Sequence, residues 1–525
     1  MDIHAALKPL DFIVIGIYIV ALLGIGLWVS SKNRGAQSDL FLGGRSMPWY
    51  NVGLSIFGTN IGPSFLIASC SIAYTSGMVG ANFEWLAWWF LMLLGMLFVP
   101  HYMRTKISTM PEFMLNRFGP RVHSFLSYYA LFTTVILWLG GALYAGGVLL
   151  SQMMAWPLWL SVCLLTLISL LLTIVGGLVA VVVTDSFQSI LMILGCATLT
   201  IIGFQEIGSL DKLLGNTPAD YWHLFRPTDD DVYPWHAIVL GYPVLAIWFW
   251  CTDQTIVQRA LGAKNLKEAQ MGVAFTGFLK IIPPFIFMLP GIICYVLHPN
   301  LANPDEAFMT MVTNYLPPGM TGLIVAVLIA ALVSTVDSGL NSFSTVFTLD
   351  IYVKKYRPNA TPSEIVWVGR VVMVLVAGLA VFSALSMESF GKNMFDLLQG
   401  IISFIAPPMG AVFLIGVLWR KATATAALWT LYLGSFASLG IGLCHFKKWP
   451  TADFWPHHLL LAFFLFVSVS VLMIVISSFT KNSQAESRMP SLAETYVTME
   501  TSPRFVWTLW MVLAVIMISI YIIFN

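Results

Sequence analysis

Charged residues are scarce in this sequence. Asp, Glu, Lys and Arg together make up 10% of its 525 residues, whereas 58% are hydrophobic and the mean hydropathy is +0.83. A water-soluble domain carries roughly a quarter charged residues, so this scarcity excludes a surface facing water throughout. In lipid, only helices and closed barrels satisfy every backbone N–H and C=O. The apolar runs are continuous over about 20 residues rather than alternating over ten, which excludes a barrel and leaves an all-α polytopic membrane protein. Cysteine is sparse too. Cys70, Cys163, Cys196, Cys251, Cys294 and Cys444 are scattered, with neither metal-ligand spacing nor a disulfide framework. A net charge of +1 offers nothing to a nucleic acid or other polyanion. No His or Cys pairing, Ser-His-Asp arrangement or phosphate-cradling glycine loop is present, so the chain does not read as an enzyme. No obligatory protein partner is evident either. Asp2 and His4 precede the first apolar run and no small-residue cleavage site follows it, so no cleavable signal peptide is expected.

About 14 spanning segments can be drawn, with cores at 10–30, 48–75, 82–103, 122–153, 157–176, 178–204, 235–257, 271–297, 319–347, 365–387, 394–419, 424–445, 457–478 and 505–524. The positive-inside rule tests this count. With the loop after the first segment placed inside, Lys32, Arg34, Arg45, Arg104, Lys106, Arg117, Arg121, Arg259, Lys264, Lys267, Lys354, Lys355, Arg357, Arg420, Lys421, Lys481, Arg488 and Arg504 all fall inside. Only Lys8, Lys212, Arg226, Lys392, Lys447 and Lys448 fall outside, a bias of three to one. A missed segment would scramble that order. Both termini are therefore expected to be extracytoplasmic, in a plasma or bacterial inner membrane. The 205–234 loop, with Glu206, Asp211, Asp220, Asp229, Asp230 and Asp231, lies outside and reads as a solvated loop or a cation-attracting funnel. The polar stretch 479–503 reads as a cytoplasmic linker.

Polar groups at membrane depth are costly, about 2.5–3.5 kcal/mol per charge even on the lenient insertion scale. Glu84, Asp185, Asp253, Lys280 and Asp337 stand out for that reason. Asp253 lies near a cytoplasmic end, close to Arg259, and reads first as a structural group. The second segment holds Thr59-Asn60-Ile61-Gly62-Pro63-Ser64 in its middle. Gly weakens a helix, and Pro removes a donor and clashes with the preceding turn. The outcome is either a simple kink or an unwound stretch whose bare carbonyls bind a cation and whose half-helix ends face a polar solute. Ser334 and Thr335 place two hydroxyls mid-segment elsewhere. They serve either as local caps on the preceding turn or as further oxygens for a hard cation.

These residues resemble the sodium/solute symporter family, and within it the sodium–glucose cotransporter-like branch. The resemblance spans about 400 residues and rests on several ordered motifs: Thr59-Asn60-Ile61-Gly62, Phe83-Glu84-Trp85, Thr109-Met110-Pro111-Glu112-Phe113, Arg117-Phe118-Gly119, Trp250-Cys251-Thr252-Asp253-Gln254, Gln258-Arg259, Asn341-Ser342-Phe343-Ser344-Thr345, Asp350-Ile351-Tyr352 and Ala406-Pro407-Pro408. It implies a LeuT-type fold of two inverted five-helix repeats, each opening with a broken helix. The repeats would cover 48–204 and 235–419. Residues 1–47 would form an extra helix and first cytoplasmic loop, 205–234 the acidic loop, and 420–525 further helices.

The resemblance also implies sodium held by the carbonyls of Gly58, Ile61 and Ala331 and the hydroxyls of Ser334 and Thr335. Its solute-contacting positions map to Asn60, Glu84, Lys280, Gln399 and Trp250. Two departures shift specificity: Phe65 stands where the branch usually has His or Gln, and Phe249 where it has a stacking Tyr. Asp185 matches an acidic position tied to cation coupling, and Asp337 stands where relatives usually show Thr or Ala. The two carboxylates would flank a second sodium, share a proton, or serve structure. The expected function is alternating-access, sodium-coupled symport of a small polar solute, a sugar or polyol first. Its rivals are a carrier of a carboxylate, sialic acid or amine, and a solute-gated sensor or channel on the same scaffold.

Overall fold

The computed structural model describes residues 7–32, 40–230, 232–387, 394–480 and 503–525. Arg34, Asp231, Lys392, Lys481 and Arg488, with most of the 479–503 linker, lie outside the described residues. Among the described residues the chain is helical, and its β-pairing is limited to the isolated bridges Met47–Ala263 and Arg226–Pro234.

Twelve described stretches are long and apolar enough to cross a membrane, from Pro9–Ser31 to Arg504–Ile523. Two of them hold two crossings each. Leu158–Ile207 is broken at Gly177, with φ 56° and ψ −159°. A side chain built on Gly26 would touch both Leu172 and Thr184. Twelve residues of straight helix would hold those two about 18 Å apart, so the chain folds back at Gly177. Pro63–Arg104 likewise turns at Gly77, φ 69°, between the second and third segments. The crossings thus agree with the 14 segments drawn from hydropathy.

Contacts between loops support the alternation. Arg45 donates to the carbonyls of Lys106 and Ile107, Met47 N–H to Gly262 O at 3.1 Å, Arg117 to the carbonyls of Gly416 and Trp419, and Lys354 pairs with Glu112 at 3.0 Å. All of these join loops that follow odd-numbered segments. At the other end, Gly319 N–H donates to Asp11, Leu224 N–H to Phe524 O, Tyr74 O–H to His298 O, and the His457 ring meets Val232 O.

The helix Met320–Tyr356 is 94% buried over its apolar window, whereas Arg504–Ile523 is 22% buried. The first is therefore the centre of the bundle and the second a lipid-facing strut. Phe436 and Phe479, 82% and 87% exposed, would face acyl chains. The central helix carries Ser334, Thr335 and Asp337, so all three lie in protein rather than lipid.

Both expected helix breaks are present. Trp49–Asn60 ends at Ile61 (ψ 86°), Gly62 is extended, and a second helix runs Pro63–Ser76. Further on, Trp235–Ala246 widens into a π-turn over Ile247–Thr252. The chain then becomes extended at Asp253 (ψ 130°), whose side chain caps Gln254–Leu261 by accepting from Thr255 N–H. The first half-helix has no side-chain cap of its own. Instead Glu268, in the first turn of Leu266–Leu279, accepts from Trp49 N–H at 2.7 Å and ties the two breaks' supporting helices together.

Gly177 is a strict local requirement. Its positive φ disfavours any side chain by roughly 1–2 kcal/mol, and a Cβ there would sit 2.8 Å from Leu40 O. Gly177→Ala should lower the melting temperature of the detergent-purified protein by several degrees. Gly378→Ala, at a site with nothing within 4 Å of the added methyl, should leave it unchanged. Equal melting curves for the two variants would remove the hairpin requirement.

Candidate functional site

The first break controls the site because it strips amide donors from carbonyls. Pro63 has no N–H to offer Thr59. The Gly62 amide turns to Asn60 O at 3.2 Å and the Phe65 amide to Gly62 O at 3.1 Å. The carbonyls of Gly58 and Ile61 therefore lose the i+4 amides that a continuous helix would supply. Facing them is the central helix. A Cβ placed on Gly58 would lie 3.3 Å from Ser334 Oγ, and one on Gly62 3.5 Å from Thr335 Oγ1. Ser334 donates its proton to Asp185 Oδ1 (2.6 Å) and Thr335 donates to Ala331 O (2.9 Å). Both hydroxyls keep lone pairs for another partner. Hard cations take oxygen ligands, and this donor set, carbonyls and hydroxyls without sulfur or nitrogen, fits an alkali ion.

Directly beside it lies a buried ionic network. Asp185 accepts from Ser55 (2.6 Å), Thr59 (3.5 Å) and Ser334, and pairs with Arg259 at 3.4 Å. Arg259 also donates to Ser55, to the Thr255 carbonyl and to Ser338. Ser338 meets Thr59 (3.2 Å) and Asp337 Oδ1 (3.3 Å), while Asp337 Oδ2 is buried with no partner among the described residues. Counting Arg259 among the loop charges misplaces it. The helix Gln254–Leu261 is buried along its whole length, and Arg259 is 0% exposed. The signal was its setting, Gln258-Arg259 flanked by Ile256, Val257, Ala260 and Leu261, which is too apolar for a water-facing loop.

The seven residues assigned to the solute also meet. Asn60, Phe65, Glu84, Phe249, Trp250 and Gln399 line one cleft, which with its open mouth spans about 560 Å³. Lys280 lies behind them, fully buried. It donates to Glu84 at 2.6 Å and to Asn60, and sits 4.9 Å from the centre of the Trp250 ring. The chain places Lys280 there because Leu266–Leu279 ends at it and Pro283-Pro284 forces a turn. Phe249 stacks on Trp138 at 5.4 Å, and Trp138 in turn donates to Asp253 at 3.1 Å. Phe65 packs edge-on to Phe287.

The remaining wall is Phe83, Tyr242, Leu245, Ala246 and Ile402. Sequence reading missed these apolar positions because nothing distinguishes them from ordinary packing residues. The Tyr242 hydroxyl donates to Phe83 O at 2.7 Å, so it contributes a ring rather than a free donor.

Two discontinuous helices around a buried oxygen-lined site define a secondary transporter of the inverted-repeat class. The family model described as the Sodium:solute symporter family matches residues 40–434, and the chain belongs to that family. It is thus a sodium-coupled solute symporter, a multi-pass membrane protein with sodium as its coupling ion. It is 35% identical over 466 residues to sodium/glucose cotransporter 4 of Danio rerio, covering 82% of this chain and 71% of that protein. Against sodium/glucose cotransporter 1 of Sus scrofa it is 33% identical over 523 residues, covering 90% and 79%. Among solved structures, a Na+-coupled sialic acid symporter in a substrate-bound outward-open state superimposes with a TM-score of 0.80 over 91% of this chain and 99% of its own. Identity there is 22%, so the likeness is one of fold.

Breaking a buried ion pair by removing one partner costs about 3–5 kcal/mol, whereas removing both is far milder. Lys280→Met should therefore sharply lower the melting temperature. Lys280→Met with Glu84→Gln should recover most of the loss yet leave uptake abolished. If the double variant melts as low as the single one, Glu84 is not the group that Lys280 neutralises.

Proposed function

We propose that this symporter carries a neutral, polyhydroxylated solute, a sugar or polyol, into the cell by alternating access. The carrying observation is the Glu84–Lys280 pair beside Asn60. The ammonium and carboxylate compensate each other, so the cleft favours neither an anionic nor a cationic solute. Glu84, Asn60 and Gln399 line the cleft together with Phe249 and Trp250. Amides and a carboxylate hydrogen-bond several hydroxyls at once, and the rings suit the apolar face of a pyranose. The sodium/glucose names of the relatives point the same way. Phe65 and Phe249 offer no hydroxyl, so specificity is broadened or shifted relative to a site that demands a particular OH.

Sodium binds first in this scheme, bridging Gly58 and Ile61 to Ala331, Ser334 and Thr335. That bridge favours the outward-facing form. Solute binding and closure of the aromatic layer then allow the bundle to rock inward. One charge crossing 100 mV contributes about 2.3 kcal/mol, and a tenfold sodium gradient about 1.4. Together they support roughly a several-hundred-fold solute gradient per ion. Asp185, Arg259 and Asp337 sum to one negative charge with Asp337 Oδ2 bare, so a second cation between Asp185 and Asp337 accompanies the first. In this reading the inverted repeats are 48–204 and 235–419, and the basic loops, with the 479–503 linker, face the cytoplasm. Both termini are outside.

Uptake of D-glucose, D-galactose, myo-inositol, sialic acid and a short carboxylate into proteoliposomes, with and without a sodium gradient, tests the class. Concentrative uptake of a neutral member is expected; accumulation of only the charged solutes overturns the reading, and current without accumulation would indicate a channel. Ser334→Ala with Thr335→Ala should abolish sodium dependence while leaving expression intact. Asp337→Ala should lower the sodium-to-solute ratio measured with isotopic sodium. An unchanged ratio removes Asp337 from coupling, and a ratio that instead shifts for protons identifies the second cation as H+.

A further inference from the structure

A second cavity lies below the first. With its open mouth it spans about 410 Å³, and it is bounded by Met110, Pro111 and Gln254 on the side of the basic loops. Its roof is the π-turn Ile247–Thr252, whose extra residue per turn swings consecutive rings to different sides. Trp248 lines this lower cavity, whereas Phe249 and Trp250 line the upper cleft. The partition is therefore one aromatic layer thick.

The polar inventory of the lower cavity is one-sided. Thr133, Thr134 and Thr252 all line it, and each spends its proton on a backbone carbonyl, at 3.1, 2.7 and 2.7 Å to Tyr129 O, Ala130 O and Trp248 O. The Tyr129 hydroxyl likewise donates to Ile405 O at 3.3 Å. What these groups turn to the cavity is lone pairs. Asp253 adds a carboxylate that accepts one bond on each oxygen, from Thr255 N–H and the Trp138 indole, and it forms no ion pair among the described residues. Among the described residues no cationic side chain lines the space. Such a wall needs a ligand rich in donors, and the Trp248 face gives it an apolar plane to lie on. A polyol hydroxyl donates well to carboxylate and hydroxyl oxygens.

We propose that this cavity is a second, weaker binding subsite for a polyhydroxylated solute on the inner side of the aromatic layer, where the solute rests before release. The inference builds on the sugar-or-polyol reading but concerns a different set of side chains. The subsite divides the passage from the Glu84 cleft to the cytoplasm into two shorter steps, and it explains a buried Asp253 beyond its capping role.

The test uses a single reporter thiol. Ala130 lines the cavity and its side chain is a lone methyl. Ala130→Cys is made in a Cys163→Ser/Cys444→Ser background, since the other four cysteines are buried. The rate of maleimide labelling from the inner face is then measured with D-glucose, D-galactose or myo-inositol. At least one should slow labelling about threefold, which is two-thirds occupancy of a weak site. The slowing should persist after Glu84→Gln, which disables the upper cleft. No slowing by any of the three, slowing that vanishes with Glu84→Gln, or equal slowing by sodium chloride without solute each overturns the proposal. Sodium-driven uptake measured on the same preparation keeps the outcomes separate: uptake with no protection sinks the subsite alone, whereas protection without uptake sinks the symport reading alone.

Discussion

At membrane depth a backbone carbonyl must find a partner inside the protein, because water is not there to supply one. The interruption at Ile61-Gly62-Pro63 creates such carbonyls in the middle of a 14-crossing bundle, and much of the rest can be read as the answer to that demand. The central helix is buried over nearly its whole apolar length because it must bring Ser334 and Thr335 to the break. Gly58 carries no side chain where one would collide with Ser189 Oγ, 2.4 Å from a built Cβ. The half-helix that ends at the break is held at its start by Glu268 from the other half of the molecule. The break and its half-helix, in the first half of the sequence, are therefore met by elements of the second: the central helix at Ser334 and Thr335, and Glu268 at the start of the half-helix.

Charge is handled in the same economical way. The chain sinks Glu84, Lys280, Asp185, Arg259 and Asp337 into its interior, and each would be prohibitive alone. Glu84 and Lys280 pair with each other at the wall of the cleft, each compensating the other's charge. The network beside the break pairs Asp185 with Arg259 and adds Asp337 as a second carboxyl, one of whose oxygens has no partner among the described residues. It sits directly beside the hydroxyls of the central helix and the interrupted turn.

Aromatic residues join these parts. Trp138 stacks on Phe249 and donates to Asp253, so the ring layer is tied to the second helix break. Trp250 lies over Lys280 on one side of the layer and Trp248 over the lower cavity on the other. The π-turn at Ile247–Thr252 is what lets three consecutive residues serve three different surroundings.

Apolar run length, the order of basic loops and the Gly62-Pro63 pair are local properties. They determined from the sequence alone that the chain crosses a membrane about 14 times as helices, which loops share a side, and where one helix must break. The reason is that lipid leaves a backbone so few choices. That Asn60, Glu84, Lys280 and Gln399 belong to one site was legible only through resemblance, since no spacing links residues 339 positions apart. What tertiary structure alone decided was partnership. That Lys280 answers Glu84, that Arg259 leaves the loops to answer Asp185, and that Phe83, Leu245 and Ile402 wall the cleft all depend on helices distant in sequence meeting side by side. A buried charge is tolerated only for the partner it meets, and that partner is chosen by packing in three dimensions.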